Sequence, residues 1–433
     1  MDTHQHAPPG RKSGSACCTR WGMGHGTGCG GAQDRDLSPT GFVPARRNGG
    51  STPLRAGAKS ANADAMTEPR YTALARGLPA TVPFVGPETQ ERARGAAFTA
   101  RLGANESVFG PSPRAVEAIA AAASEAWMYG DPEVFELRTA LAAHHGVAIG
   151  NIVVGEGIDG LLGYLARLLV GQGDAVVTSD GAYPTFNFHV AGFGGVLHKV
   201  PYTGDHEDPE GLIARARGTD AKLIYLANPD NPMGSWHDAA RIEAMIEALP
   251  TGTVLALDEA YADTAPPGAI PPLDVTHPRV IRFRTFSKAH GLAGMRVGYA
   301  LAHPDLITAF NKIRNHFGMG RVAQAAALAA LGDPDYLART VADIARARDR
   351  IAAIARANGL TPLPSATNFV TVDCGRDGTF ARGLVAALGA NGVFVRMPFS
   401  PPQDRCIRVS CAPDDTLDAF AAALATALAQ ARD

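Results

Sequence analysis

Short apolar runs, each followed by polar or glycine-rich residues, recur along this chain. Residues 253–257 form an uninterrupted apolar run, which is typical of a strand buried on both faces of a parallel sheet. Shorter runs predict further strands at residues 175–178, 222–227 and 280–283. The pattern predicts an α/β protein with a mostly parallel central sheet.

Longer segments carry helical spacing. Residues 151–170 read as a short strand, a glycine turn and a helix, and Ser112 followed by Pro113 marks the start of another helix. From Asp333, apolar residues along one face predict a long helix that ends at Gly359. The remainder predicts a second, smaller α/β lobe, with strands at 368–373, 393–396 and 406–409, a helix near 380–388 and a final helix from Asp415.

The amino-terminal residues have a different composition from the rest. In residues 1–65 the branched aliphatic residues are Leu37, Val43 and Leu54, so this segment buries too little apolar surface to offset the entropy of ordering. We predict that it is a disordered tail. Met66 opens the globular composition and is a candidate start of translation. The histidines and cysteines of the tail match no standard zinc spacing, and we predict no metal site.

Composition narrows the class of partner. A chain of 433 residues exceeds the roughly 250–300 residues at which single cores stop growing, so at least two lobes are expected. The formal charge of −2 favours neither nucleic acid nor membrane as a partner, and small molecules are expected instead. No apolar run approaches the roughly 18 residues of a membrane span. The six cysteines show no framework spacing, which predicts reduced thiols in a cytoplasmic protein.

A single lysine stands out chemically within residues 281–299. Thr285 and Ser287 leave the predicted strand with free hydroxyl groups, Lys288 follows at the mouth of the sheet, and Arg296 adds a guanidinium suited to bidentate phosphate binding. A lysine forms a Schiff base with a carbonyl when burial and nearby charge leave enough of the neutral amine. The combination predicts a phosphorylated aldehyde as ligand, and therefore pyridoxal 5'-phosphate.

The motif SK-x-x-G-L-A-G-x-R, from Ser287 to Arg296, resembles the cofactor-lysine motif of the fold-type-I aminotransferases, particularly the histidinol-phosphate aminotransferase group. The resemblance covers about residues 102–430, with its motifs in the family's order. It implies the type I fold of pyridoxal-phosphate transferases, assembled as a homodimer with sites at the interface. It divides the globular part into an amino-terminal segment of the small domain at 66–114, a large cofactor-binding domain at 115–332 and a small carboxy-terminal domain at 333–433.

Around the lysine, the resemblance implies a set of groups that hold the cofactor ring. Asp258 ends a buried strand, where a carboxylate is costly unless paired, and the protonated pyridine nitrogen is its implied partner. Asn231 and Tyr261 match the residues that share the 3-oxygen of the ring. Phe186 matches the aromatic residue that stacks on the ring. Lys288 then acts as base and acid in the 1,3-proton shift.

Two further regions are matched to the cofactor phosphate. The backbone amides of Ile158 and Asp159, at the start of a helix, are suited to an anion. Tyr129 matches a tyrosine that reaches the phosphate of the neighbouring subunit. Substrate contacts are implied for residues at the segment that lines the entrance and in the small domain: Asn105, Asn368, Arg396 and Arg408, the last resembling the arginine that binds the substrate carboxylate.

One motif supports a different class of enzyme. Residues 155–160 fit G-x-G-x-x-G, with Asp180 about 20 residues further on, as in a dinucleotide-binding fold. Taken alone, this pattern indicates an NAD-dependent oxidoreductase. That reading leaves Lys288, Arg296 and Arg408 without a role.

The implied reaction is transfer of an amino group to a 2-oxo acid such as 2-oxoglutarate. The donor is an amino acid or an amino-alcohol phosphate, of the aromatic or histidinol-phosphate type, and the sequence leaves the choice open. Decarboxylation of a phosphorylated amino acid is the first alternative, because it shares nearly every residue named. An NAD-dependent oxidoreductase is the second.

Overall fold

A seven-stranded sheet carries most of the predicted apolar runs. The computed structural model describes residues 69–80 and 84–431, so the prediction of a disordered tail at 1–65 lies outside the described residues. The strands are β1 Ala100–Arg101, β2 Ile152–Gly155, β3 Ala175–Ser179, β4 Val196–Val200, β5 Leu223–Ala227, β6 Val254–Asp258, β7 Val280–Thr285, β8 Gly298–Ala302, β9 Thr361–Pro362, β10 Phe369–Asp373, β11 Val393–Phe394 and β12 Cys406–Ser410.

Helices flank these strands. They are α1 Ala73–Gly77, α2 Pro87–Arg94, α3 Pro113–Ala122, α4 Phe135–His145, α5 Gly157–Leu169, α6 Pro184–Gly192, α7 Pro209–Thr219, α8 Ala239–Glu247, α9 Pro304–Phe310, α10 Arg321–Leu331, α11 Pro334–Ala357, α12 Gly378–Ala390 and α13 Asp414–Gln430.

The large sheet is parallel except for one strand. Its order is β2-β8-β7-β6-β5-β3-β4, and β8 runs antiparallel to both of its neighbours. The remaining neighbours pair in parallel, and β6 is buried along its whole length. The prediction of a mostly parallel central sheet is confirmed. Because parallel strands end at the same edge, the residues that follow them gather there.

The same strand order argues against the dinucleotide-binding alternative. In a dinucleotide-binding βαβ unit, the strand before the glycine-rich turn pairs with the strand that follows the helix. Here β2 lies at one end of the sheet and β3 next to the other end, with β8, β7, β6 and β5 between them. Residues 155–160 therefore form a glycine turn before a helix without the neighbouring strand that a dinucleotide fold requires.

Two predicted helix starts are confirmed by their caps. The Ser112 hydroxyl accepts a hydrogen bond from the Ala115 amide at 3.1 Å, which begins α3 at Pro113. The Asp333 carboxylate accepts from the Tyr336 amide at 3.3 Å, and α11 then runs for 24 residues. Buried residues on one face of α11 attach it to the smaller core: Thr340, Ile344, Ala347, Ile351 and Ala355.

Two smaller sheets belong to the core that α11 covers. One has the antiparallel order β12-β10-β9, and the other pairs β1 in parallel with β11. The second pairing attaches a strand from the amino-terminal segment to the carboxy-terminal part of the chain, and Leu102 is buried in the same core as Leu384 and Phe420. Pro69–Asp433 forms one compact unit, and the division at 114/115 and 332/333 stays a prediction.

Three further features bear on the predictions from composition. Within the described ranges, none of the helices combines the length and apolar character needed to cross a bilayer. Cys374, Cys406 and Cys411 are free thiols, and burial raises the pKa of Cys374 and of Cys411 to about 12. In residues 69–80 and 84–431, no group of three or more histidine, cysteine, aspartate or glutamate side chains is arranged to hold a metal.

Candidate active site

The candidate site is a cavity at the carboxyl edge of the large sheet. Its walls follow the ends of β2, β5, β6 and β7, which brings together residues far apart in the sequence. Most of the predicted cofactor residues line it: Ile158, Asp159, Asn231, Asp258, Tyr261, Thr285, Ser287, Lys288 and Arg296.

Lys288 projects into this cavity from the turn after β7. Its Nζ donates a hydrogen bond to the Asn105 carbonyl oxygen at 3.0 Å and lies 5.5 Å from the centre of the Tyr261 ring. Burial, and then the charges of Arg408 and Arg296, lower the pKa of Lys288 to about 8. About a tenth of such amines are neutral at pH 7, far more than for an ordinary lysine. Lys288 is therefore suited to act as a nucleophile and a base.

Asp258 lies at the end of β6. Its Oδ2 accepts a hydrogen bond from the Tyr225 hydroxyl at 2.7 Å, and its Oδ1 accepts from the Ala260 amide at 2.9 Å. Burial raises the pKa of Asp258 to about 6, against the effect of these two donors and of Lys288. The group is still largely a carboxylate at neutral pH, as the partner of a protonated pyridine nitrogen must be.

The wall formed by the start of α5, Ser287 and Arg296 is suited to a phosphate. Helix α5 begins at Gly157, so the amides of Ile158 and Asp159 lie in its first turn, where they have no intrahelical partner. The Ser287 hydroxyl accepts from Arg296 Nη1 at 3.4 Å, which leaves its own proton available.

Thr285 lines the cavity, and its hydroxyl is engaged with the backbone on both sides; its predicted cofactor contact stays a prediction. Its hydroxyl donates to the Val297 carbonyl at 3.2 Å and accepts from the Ser287 amide at 3.0 Å. A hydroxyl has one proton, so Thr285 in this geometry holds the turn that carries Ser287 rather than donating to a ligand.

Two glycines bring the backbone close to this wall of the cavity. Gly157 has φ +77°, and a Cβ added there would lie 2.6 Å from Arg296 Nη2. A Cβ at Gly298 would lie 2.6 Å from the Ile158 nitrogen. The residues of the cavity fit pyridoxal phosphate in charge and in donor chemistry. The α5 amides, Ser287 and Arg296 are donors for the phosphate, Asp258 is a carboxylate for the ring nitrogen, and Lys288 is an amine for the aldehyde.

We expect Gly157→Ala to weaken cofactor binding at least tenfold, because the methyl group displaces the Arg296 guanidinium as well as straining the backbone. Gly173→Ala is the matched control, since Gly173 has φ +84° with nothing within 4 Å of an added Cβ. Equilibrium titration with pyridoxal phosphate measures both. Equal dissociation constants in the two variants would show that Arg296 is not displaced.

Phe186, the predicted stacking aromatic residue, does not line the cavity. Phe186 is fully buried in the core between α6 and the sheet, where its ring stacks on Tyr225 at a centroid distance of 4.6 Å. Tyr183, at the amino-terminal cap of α6, lines the cavity instead. Helix α6 turns Phe186 towards the sheet and leaves Tyr183 facing the cavity.

A second cavity adjoins the first and shares Lys288, Tyr183 and Asn231 with it. Arg396 and Arg408 line this second cavity, as does Asn105. The two arginines face each other across an isolated antiparallel bridge, in which the Arg408 amide donates to the Arg396 carbonyl at 2.6 Å. Opposed residues of such a bridge project to the same side. Among the described lining residues of this cavity there is no carboxylate.

Arg408 is held firmly in place. Its guanidinium donates to Asn231 Oδ1 and to the Gly103 carbonyl, the latter at 3.2 Å, and burial lowers its pKa to about 10. Its Nε is buried without a partner in the described part of the chain. The Arg396 guanidinium donates to the Val85 carbonyl at 3.0 Å and lies 5.2 Å from the Phe84 ring.

Besides Phe186, two predicted residues lie outside both cavities. Asn368 is buried, and its Nδ2 donates to the Asn105 carbonyl at 3.0 Å, so it supports Asn105 instead of lining the cavity. Tyr129 is exposed, and its ring lies 4.9 Å from that of Phe317. Its predicted contact with the phosphate of a partner subunit stays a prediction.

Sequence reasoning missed Tyr183 and Tyr225. Tyr225 interrupts the otherwise aliphatic strand β5 with a hydroxyl group, and a buried phenol needs a hydrogen-bond partner. That single polar atom in a buried strand was the available signal. Tyr183 precedes Pro184 at a helix start, a position that carries no comparable signal.

Known proteins resemble this chain along most of its length. Residues 99–424 match the family model for aminotransferase class I and II. Histidinol-phosphate aminotransferase 1 of Nitrosococcus oceani is 34% identical over 348 residues, which cover 80% of this chain and 93% of that protein. Histidinol-phosphate aminotransferase of Anaeromyxobacter sp. is 36% identical over 313 residues, covering 71% and 85%.

Solved structures show the same similarity. The crystal structure of histidinol-phosphate aminotransferase from Sinorhizobium meliloti, in complex with pyridoxal-5'-phosphate, is 54% identical, with a TM-score of 0.82 over 84% of this chain and 99% of that one. A mutant aspartate aminotransferase of Thermus thermophilus is 23% identical, with a TM-score of 0.68 over 82% and 100%, a similarity of fold.

Proposed function

This chain belongs to the aminotransferase class I and II family and is a pyridoxal-phosphate-dependent aminotransferase, and we propose that its amino donor is histidinol phosphate and its acceptor a 2-oxo acid such as 2-oxoglutarate. The observation that carries this proposal is the pair Arg396 and Arg408 in a cavity that shares Lys288 with the cofactor site. The names of the similar proteins support the same donor.

The charge of the second cavity favours a phosphate over a carboxylate. Two guanidinium groups project to one side of the bridge, and the described lining offers no acid to neutralise them. A phosphomonoester carries nearly two negative charges at neutral pH and accepts hydrogen bonds on three oxygens. A single carboxylate would leave one of the two guanidinium charges without an anionic partner.

The walls of the cavity also accept the rest of this donor. Phe84, Met397 and Phe399 supply apolar and aromatic surface, and Tyr183 continues it towards Lys288. A flat imidazole fits such walls, and so does the ring of an aromatic amino acid. Aromatic amino acids are therefore the second candidate donors, distinguished by their lack of a phosphate.

In the reaction, bound pyridoxal phosphate supplies an electron sink for the carbon that carries the amino group. Lys288 would take the proton from that carbon and deliver it at the other end of the 1,3-proton shift. In the described structure its amine is held at the Asn105 carbonyl and kept partly neutral by burial. Asp258 would hold the ring nitrogen in its protonated form. Arg396 and Arg408 orient the distal anionic group, which fixes the reacting carbon relative to Lys288.

A panel of amino donors with 2-oxoglutarate tests the proposal. We expect the highest kcat/KM for histidinol phosphate, lower values for phenylalanine and tyrosine, and glutamate as product in each case. Release of carbon dioxide from a phosphorylated amino acid, without a keto product, would identify the decarboxylase alternative. A higher kcat/KM for an aromatic amino acid would replace the proposed donor.

We expect Arg408→Lys to lower kcat/KM for histidinol phosphate by about 10- to 100-fold, mainly through KM, because a point charge replaces two parallel N–H donors. Arg382→Lys is the control, since Arg382 is exposed and pairs with Asp404 at 3.3 Å, away from both cavities. Unchanged kinetics of Arg408→Lys with every donor would place Arg408 outside the substrate site.

We also propose that the protein works as a cytoplasmic homodimer. The support for the dimer is the exposed Tyr129, whose counterpart in the family reaches a partner's phosphate. The support for the location is the three free, buried thiols of the carboxy-terminal core.

A further inference from the structure

The carboxylate that faces the cofactor nitrogen is supported from the next strand. Tyr225 of β5 pairs with Ala256 of β6, so Asp258 is its diagonal neighbour on the same face of the sheet. The phenol reaches across this diagonal, and its hydroxyl donates to Asp258 Oδ2 at 2.7 Å. Tyr225 is fully buried, and no other hydrogen bond of its hydroxyl is formed in the described structure.

The ring of Tyr225 is held by a second layer. Phe186 of α6 stacks on it at 4.6 Å with an interplanar angle of 18°, and both rings are fully buried. Close packing on that face restricts the ring, so the hydroxyl is directed at one carboxylate oxygen. Phe186 contacts Tyr225, and Tyr225 contacts Asp258, so the three side chains form a continuous row from the helix layer to the cavity.

We propose that Tyr225 is a positioning residue that keeps Asp258 ionised and directed at the cofactor nitrogen. Removing a carboxylate from water disfavours its charge, and a donated hydrogen bond favours it. Burial raises the pKa of Tyr225 well above its usual value, so the phenol stays protonated and remains a donor. The inference rests on the aminotransferase activity and is independent of which amine is the donor.

Other groups around Asp258 act on its charge as well. The Lys288 amine favours the carboxylate, and Glu259 disfavours it. The phenols of Tyr183 and Tyr261 also face Asp258, and the Ala260 amide donates to its other oxygen. Of the side chains, Tyr225 is the one that donates a hydrogen bond to Asp258 in the described structure.

Tyr225→Phe tests the inference, because phenylalanine keeps the stacked ring and removes the hydroxyl. We expect the acidic limb of the pH profile of kcat to move upward by about one pH unit, while KM for the amino donor changes little. A pH titration of the visible absorbance of the cofactor-loaded protein, without substrate, is expected to move in the same direction. That second measurement does not depend on the proposed donor.

Tyr299→Phe is the matched control. Tyr299 is also a buried phenol of the large sheet, but its hydroxyl lies 3.0 Å from His145 Nε2, outside the cavity. We expect this variant to keep the pH profile and the absorbance titration of the wild type. Melting temperatures and near-ultraviolet circular dichroism show that both variants are folded.

The double variant Tyr225→Phe/Asp258→Asn decides whether Tyr225 acts through Asp258. If it does, the double variant loses no more kcat than Asp258→Asn alone, since the hydrogen bond no longer has a carboxylate to support. Additive losses would overturn the inference, as would a Tyr225→Phe protein whose pH profile and absorbance titration match those of the control.

Discussion

Lys288→Ala is expected to lower transamination by more than about 10⁴-fold, because it removes both the amine that reacts with the cofactor and the base that moves the proton. Lys288 is the lysine that lines the cavity, and its lowered pKa of about 8 makes it reactive near neutral pH. Steady-state formation of glutamate from histidinol phosphate and 2-oxoglutarate measures the loss.

Measuring pyridoxal phosphate binding to Lys288→Ala shows whether the variant has lost only the reaction or the binding site as well. The phosphate donors Ser287 and Arg296 remain in Lys288→Ala, so we expect pyridoxal phosphate still to bind, but borohydride no longer to attach it to the protein. Lys312→Ala is the control, since Lys312 is exposed on the surface, and it is expected to keep full activity and borohydride labelling. Turnover by Lys288→Ala at the wild-type rate would refute the assignment of the site.

Tyr129→Asp is expected to be nearly inactive, because in the proposed dimer it places a carboxylate beside the phosphate bound by the partner subunit. In its own subunit Tyr129 is exposed and outside both cavities, so this loss requires the partner. The steady-state rate of the purified variant is measured against Tyr129→Phe, which keeps the ring and adds no charge. Full activity of Tyr129→Asp would exclude the contact.

Co-refolding Tyr129→Asp with Lys288→Ala then tests the shared site. In equal mixture about half of the dimers are mixed, and one of the two sites in each has both native residues, so roughly a quarter of wild-type activity returns. The other site of each mixed dimer carries both lesions. If Tyr129 served its own subunit, every site would carry one lesion and mixing would restore nothing. Light scattering and circular dichroism of each homodimer confirm that both are dimeric and folded beforehand.

Much of the fold follows from local patterns. The apolar run at 253–257 predicts β6, and the caps at Ser112 and Asp333 predict α3 and α11, because each signal depends on neighbouring residues alone. The chemical identity of the site is equally local, since Lys288 and its neighbours form one short motif. Such features depend on strand period, helix caps and one short motif, which the order of residues specifies directly.

Other features were decided by the tertiary structure. Phe186 and Tyr183 are three positions apart, and only the way α6 packs on the sheet turns the first inward and the second towards the cavity. The Thr285 hydroxyl donates to the carbonyl of Val297, just before the strand that returns beside it, and Tyr225 reaches Asp258 on the adjacent strand. These contacts join residues 12 and 33 positions apart, so which atoms meet depends on strand order and register. The sequence by itself determined the strands, the helix starts and the reactive lysine; the tertiary structure decided which side chains face the cofactor and which hold them, because packing sets the direction of each side chain.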